Sequence, residues 1–79
     1  MAIYIQILKL EEDAGGAVYG FGEGEGLLGT VFLDKASGEV TLIELSLPGR
    51  ERFFVPRVRR VLARHHEEGE YPRETCYAA

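Results

Sequence analysis

The sequence predicts a single α+β domain over residues 1–79, in which a four-stranded antiparallel β-meander is followed by one amphipathic helix packed on one face of the sheet. Three observations lead to this prediction. The chain has 79 residues, enough for one core and too few for two. Four segments rich in β-branched and aromatic residues, separated by glycine-containing turns, fill residues 3–47. One segment with helical periodicity follows at residues 56–68.

The first two predicted strands cover residues 3–10 and 17–22 and form a hairpin across an acidic, glycine-closed turn. Both faces of strand one are apolar. Strict alternation places Ile3, Ile5 and Ile7 on one face and Tyr4, Leu8 and Leu10 on the other. Strand two continues with aromatic and β-branched residues and is predicted to pair with strand one.

The third and fourth predicted strands cover residues 27–34 and 39–47. Asp34 favours the start of a type I turn and Gly38 suits a left-handed position, so a tight hairpin should join them. Alternation in strand three separates Leu28, Thr30 and Phe32 from Leu27, Val31 and Leu33. In strand four it separates Val40 and Leu42 from Thr41, Ile43, Leu45 and Leu47.

The helix is predicted over residues 56–68, because Pro56 suits a first helical position and Gly69 suits a left-handed terminator. Residues 50–55 are predicted to be extended rather than part of a helix kinked at the proline, since a residue before proline avoids helical angles. At 100° per residue, one apolar stripe contains Val58, Val61, Leu62 and His65. The tail, residues 70–79, is expected to pack along the domain or to add a short strand.

The dimensions of this fold predict an interface. Four strands span about 15–20 Å, whereas one helix with its side chains is about 10–12 Å across. A single helix therefore covers only one of two apolar sheet faces, and a large uncovered apolar face usually marks an interaction site. We expect a homodimer or a protein partner docked on that face. The candidate interface residues are Tyr4, Leu8, Leu28 and Phe32.

The net charge of −4 conceals a division along the chain. Residues 1–49 contain two basic and eight acidic residues, a balance of −6, whereas residues 50–79 contain seven Arg and five acidic residues, a balance of +2. A second hypothesis is therefore polyanion or nucleic-acid binding through the Arg-rich region 50–64. Its candidate anion-binding residues are Arg57, Arg59, Arg60 and Arg64.

Internal compensation or a contact between subunits is the favoured interpretation of these arginines. Arg64 can reach Glu67 or Glu68 on the same helix, and other arginines can reach acids of the sheet such as Glu39 or Glu44. An isoelectric point near 5.1 also disfavours non-specific binding to nucleic acid.

Catalytic and metal-binding residues are few. Adjacent helical histidines, His65 and His66, point about 100° apart and cannot readily share one ion. A zinc site built from His65, Glu68 and Cys76 lacks a fourth ligand. Asp34 has a turn role already, and a single-helix domain offers little concavity for an active site. The sequence therefore predicts a non-enzymatic protein without a cofactor or a metal.

Targeting signals are also missing from the sequence. No apolar run reaches the roughly 18–20 residues that cross a bilayer, and no basic region precedes the apolar N-terminal residues. Cys76 is the only cysteine, so no disulfide within the chain can form. We expect a cytoplasmic protein with no membrane association.

Overall fold

Five strands and one helix form the fold in the computed structural model, which describes residues 2–79. The elements are β1 (Tyr4–Glu12), β2 (Gly16–Gly22), β3 (Gly29–Asp34), β4 (Val40–Leu45), α1 (Glu51–Glu67) and β5 (Glu74–Ala78). The strands make one antiparallel sheet in the order β4-β3-β2-β1-β5. The α+β class and the meander are confirmed. The sheet has a fifth strand beyond the four that were predicted, and the C-terminal tail forms it.

The core lies between α1 and one face of the sheet. Cross-strand pairs bring Ile7 opposite Phe21 and Tyr19 opposite Val31, so large side chains meet in rows below the helix. The twelve buried apolar residues are Ile5, Ile7, Ala17, Tyr19, Phe21, Val31, Leu33, Val40, Phe54, Val58, Val61 and Leu62. Burying each of the larger ones contributes about 1.5–3 kcal/mol, before the entropy of ordering it.

The hairpin between β3 and β4 is confirmed in detail. Asp34 Oδ1 accepts a hydrogen bond from the Ala36 amide at 2.9 Å, and the Gly38 amide donates to the Asp34 carbonyl at 2.7 Å. Gly38 has a φ of +81°, a left-handed conformation that side chains other than glycine's strain to adopt. The sequence signal for this turn was local, and the structure satisfies it with local hydrogen bonds.

The start of the helix differs from the prediction. Residues 50–55 are not an extended segment, because α1 begins at Glu51 and Pro56 lies inside it. Phe54 supplies the physical reason: it is fully buried, and its ring centroid lies 5.3 Å from that of Phe21. A proline inside a helix costs about 3 kcal/mol, and burying one Phe together with its aromatic contacts offsets about that much.

The rest of the helix follows the prediction. Val58, Val61 and Leu62 are buried and His65 is half-buried, so the apolar stripe is confirmed. α1 ends at Glu67, one residue before the predicted end, and Gly69 follows with a φ of +71°. Its amide donates to the His66 carbonyl at 3.0 Å, which caps the last turn.

Two β-bulges change which way side chains point. In the β1–β2 pair the register shifts between Lys9 and Glu11, so Leu10 has no direct partner on β2. In the β3–β4 pair the register shifts between Thr30 and Val31, so Ile43 has no direct partner on β3. The predicted faces of strand four are therefore partly wrong. Leu45 and Leu47, which strict alternation places with Ile43, pack against the buried core instead.

Candidate protein interface

The sheet face opposite α1, called the open face below, has no element of residues 2–79 packed across it. Every exposed large apolar residue of the described chain lies on this side or in the loop that folds onto it. They are Tyr4 (53% exposed), Leu10 (48%), Leu27 (41%), Phe32 (38%) and Ile43 (56%). Their concentration on one side distinguishes them from the scattered apolar residues of an ordinary surface.

Glycines at the centre of the sheet make the open face continuous. Gly20 pairs with Leu8 on one side and Thr30 on the other. Methyl groups of Leu27 and Leu10 fill the space above it, since they would lie 2.5 Å and 3.2 Å from a Cβ at this position. The β2–β3 loop therefore folds Leu27 over the sheet and joins β1 to β3 in one apolar surface.

The predicted interface residues divide between the two faces. Tyr4 and Phe32 are exposed on the open face, and Leu8 is half-buried on it opposite Gly20. Leu28 packs against the core instead, because β3 begins at Gly29 and its alternation does not extend back to residues 27 and 28.

Sequence reasoning placed Leu27 on the other face and assigned no interface role to Leu10 and Ile43. Leu10 and Ile43 are bulge residues, and Leu27 belongs to a loop. Strict alternation already places Leu10 with Tyr4 and Leu8, and Ile43 with Thr41, but it gives no sign of the bulges that leave Leu10 and Ile43 unpaired.

Charge on the open face lies at its rim. Three carboxylates lie at the ends or edges of the strands: Glu44 on β4 opposite Thr30, Glu74 on β5 opposite Leu8, and Glu11 near the end of β1 opposite Val18. The middle of the face holds Leu8, Val18 and Phe32 around Gly20. An apolar centre inside a charged rim is the usual anatomy of a protein interface.

Arginines beside the helix are engaged by aromatic rings. Arg50 and Arg57 lie on the ring of Phe53, with guanidinium carbons 4.8 Å and 4.4 Å from its centroid. Arg57 also donates from Nη1 to the Phe53 carbonyl at 2.7 Å. These contacts stabilise the first turns of α1. They also engage the guanidinium group of Arg57, which is one of the four candidate anion-binding residues.

The other candidates differ in their surroundings. Arg59 donates from Nη2 to the Val40 carbonyl at 3.3 Å, whereas Arg60 and Arg64 are exposed beside a groove next to β5. Within residues 2–79 no arginine lies within 4.0 Å of a carboxylate. The prediction that these arginines pair with Glu39, Glu44 or the helical glutamates of the same chain is therefore wrong.

Lysine pairs occur instead at the end of β1. Glu12 accepts hydrogen bonds from Lys9 Nζ at 2.6 Å and Lys35 Nζ at 2.7 Å. The Lys35 contact, then the Lys9 contact, lowers the pKa of Glu12 from 4.5 to about 2. Lys9 also donates to the Tyr71 carbonyl at 2.7 Å. The cluster of Glu12, Lys9 and Lys35 is thereby hydrogen-bonded to the segment that precedes β5.

Tyr19, a core residue, also contacts the segment that precedes β5. Its hydroxyl donates to the Pro72 carbonyl at 2.8 Å. Burial, with a smaller contribution from the Glu12 charge, raises the pKa of Tyr19 to about 12. The neutral hydroxyl is thus the form that the fold favours.

Glu12→Gln tests the lysine cluster through pH. Because the folded pKa is depressed, the ionised Glu12 stabilises the fold above pH 4.5, and this contribution is lost as the pH falls from 4.5 towards 2. We expect the stability difference between wild type and Glu12→Gln to shrink over that interval in urea denaturation at several pH values. Glu11→Gln, on the neighbouring exposed carboxylate, is the control, and an equal pH dependence for both variants would contradict the assignment.

The histidines lie on different sides of the helix end. His65 Nε2 is 2.9 Å from Thr75 Oγ1, and His66 Nδ1 is 2.8 Å from the Tyr71 hydroxyl. His65, Glu68 and Glu70 bring ligand atoms within 4.8 Å of one another, but both glutamates are exposed. Cys76 does not belong to this cluster, so the structure does not bring His65, Glu68 and Cys76 together as a zinc site.

Within residues 2–79, none of the helices has the length and apolar character needed to cross a bilayer. Comparison with protein-family models, curated proteins and solved structures finds no match to this chain.

Proposed function

We propose that this domain functions by binding protein through its open face, and that a second copy of the chain occupies this face. The observation that carries the proposal is the gathering of Tyr4, Leu10, Leu27, Phe32 and Ile43 on one side of the sheet. Removing such a surface from water contributes about 25 cal/mol per Å² of apolar area.

A second copy suits the open face because an apolar centre is complementary to itself. Two twisted sheets pack face to face about 10 Å apart, at about −30° to each other. In such a pair, Leu8 and Phe32 of each copy lie in the middle, and the rim acids Glu44 and Glu74 stay in water. A two-fold contact uses the same residues from both copies, so no separate partner surface is needed.

Sedimentation velocity over a range of protein concentrations, with a reductant present, tests this proposal. We expect a reversible shift from monomer to dimer, with little change between low and high salt because the centre is apolar. A compact monomer at all concentrations would overturn the second copy as occupant. In that case a stable complex with another protein, lost on substituting open-face residues, is the outcome that keeps the open face as an interface.

A second candidate function, polyanion binding, is favoured by one observation: Arg60 and Arg64 are exposed and have no carboxylate partner within residues 2–79. Phosphate contacts release counterions, so such a complex weakens steeply as salt rises. If this function is right, Arg60→Glu with Arg64→Glu should reduce binding to a labelled DNA duplex at low salt by more than tenfold. Binding that is unchanged in this variant would exclude the Arg60 and Arg64 surface.

A further inference from the structure

Within residues 2–79, the outer edge of strand β5 is unpaired, which makes it a second place where another chain can add. Ile3 and Ala79 exchange both backbone hydrogen bonds, at 2.9 Å and 3.0 Å. In an antiparallel pair such hydrogen-bonded positions alternate with positions whose groups point away. Within β5, Thr75 and Tyr77 therefore bond to β1, and the amides and carbonyls of Glu74, Cys76 and Ala78 point outward.

The opposite edge of the sheet is protected. In β4 the Val40 carbonyl accepts a hydrogen bond from Arg59, and the bulge at Ile43 bends the strand. Bulges and charged side chains are common means of blocking unwanted strand addition. The pairing of β5 with β1 shows no register shift, and β5 contains neither lysine nor proline. The two edges thus differ in the bulge and in the bonded Val40 carbonyl, both of which hinder strand addition at β4.

We propose that β5 pairs antiparallel with β5 of a second copy, with Cys76 on the two-fold axis, so that two sheets become one continuous sheet. In this register the backbone amide and carbonyl of Cys76 are both hydrogen-bonded to Cys76 of the second copy. Glu74 lies opposite Ala78 of the second copy. Within the two paired strands no like charges face each other, which favours this register. Thr75 lies opposite Tyr77, a pairing of a β-branched residue with an aromatic one that suits a sheet.

The side chains on β5 agree with this arrangement. Thr75 and Tyr77 face α1, since Thr75 contacts His65 and Tyr77 packs against the core. By alternation Cys76 and Ala78 point to the open face, where they are small and leave room beside the axis. A groove of about 830 Å³ runs between α1 and the edge, lined partly by Arg60 and Arg64, and gives an incoming strand access to it.

Edge pairing is separate from the face-to-face contact of the proposed function. Its two-fold axis is perpendicular to the sheet, so the open faces of both copies remain uncovered and lie side by side. The cysteine at the axis distinguishes the two contacts. A hydrogen-bonded antiparallel pair has Cα atoms about 5.5 Å apart, inside the disulfide range of about 4.4–6.8 Å, whereas stacked sheets are about 10 Å apart.

Oxidation of the wild-type chain with copper phenanthroline tests the proposal, followed by non-reducing electrophoresis. At micromolar protein we expect most of the chain to become a Cys76–Cys76 disulfide dimer, with two thiols giving up their hydrogens to the oxidant. The matched control is Cys76→Ser with Glu74→Cys, which has one thiol on the same strand. In the proposed register its two thiols are about 13 Å apart along the strands, so this variant should stay monomeric on the gel.

Two further results decide the proposal. Cys76→Ser with Glu74→Cys and Ala78→Cys should again cross-link, because residues 74 and 78 face each other across the pair. Wild-type-like cross-linking should also persist when Ile43→Glu removes the face-to-face contact. Absence of the Cys76 dimer, equal cross-linking of the single Glu74→Cys control, or loss of the dimer in Ile43→Glu would overturn edge pairing. Because edge pairing by itself produces dimers, the sedimentation test of the open face is also run on Cys76→Pro, which removes an outward amide of β5 and leaves the bonds from β5 to β1 in place.

Discussion

Ile43→Glu combined with Leu10→Glu is expected to weaken self-association through the open face at least a hundredfold. Both side chains are about half exposed in the single chain, at 56% and 48%, so the substitutions leave the core intact. In a two-fold contact each change is present twice, and a carboxylate that loses water without gaining a partner costs several kcal/mol. Edge pairing through β5 is blocked with Cys76→Pro, and in that background sedimentation velocity should show monomers at concentrations where Cys76→Pro alone is dimeric.

Ala36→Glu is the matched control for these open-face variants. Ala36 is exposed at the tip of the β3–β4 hairpin, away from the open face, and the change adds the same charge. We expect it to leave the dimerisation constant within a factor of about two, as for a rim charge at moderate salt. Dimers that persist in the double variant, or an equal loss in Ala36→Glu, would contradict the open face as the contact.

Phe54→Ala is expected to lower the free energy of unfolding by about 3–5 kcal/mol, the usual cost of removing a buried Phe. Phe54 is fully buried and packs against Phe21 and Phe53, with ring centroids at 5.3 Å and 4.9 Å. Stability of about 0.05–0.15 kcal/mol per residue makes such a loss a large fraction of the total for a domain of 79 residues. Urea denaturation followed by circular dichroism measures it.

Phe53→Ala serves as the comparison, since it removes the same side chain from the neighbouring position. Phe53 is only half-buried, and its ring contacts the guanidinium groups of Arg50 and Arg57. We expect its loss to cost about 1–2 kcal/mol, from partial burial and two cation–π contacts. If Phe53→Ala were as costly as Phe54→Ala, the phase of the first helical turns would be wrong.

Local signals in the sequence predicted most of the secondary structure. The hairpin at Asp34 and Gly38, the strand faces of β1 and the helical stripe from Val58 to His65 depend on neighbouring residues, and the structure has all three. The helix start was missed because two effects compete there. The local preference of the residue before Pro56 is overcome by burial of Phe54 against Phe21, a contact distant in the sequence.

The candidate site was predicted in outline and not in detail. Tyr4, Leu8 and Phe32 follow from alternation, which holds in the regular parts of β1 and β3. Alternation also places Leu10 and Ile43 on this face, but the bulges, whose positions depend on how neighbouring strands fit together, turn Leu45 and Leu47 towards the core. The arginines could not be placed because a guanidinium group pairs equally well with a ring, a carbonyl or a carboxylate.

The order of the strands also determines which part of the sheet opens first. β1 to β4 are joined by neighbouring hairpins, whereas β5 reaches β1 only across the whole helix, so its closure has the larger entropic cost. When β5 detaches, the edge of β1 with Ile5 and Ile7 becomes free to template aggregation. The bonds from Lys9 to Tyr71 and from Tyr19 to Pro72 act directly before β5, and they therefore protect the chain against aggregation as much as against unfolding.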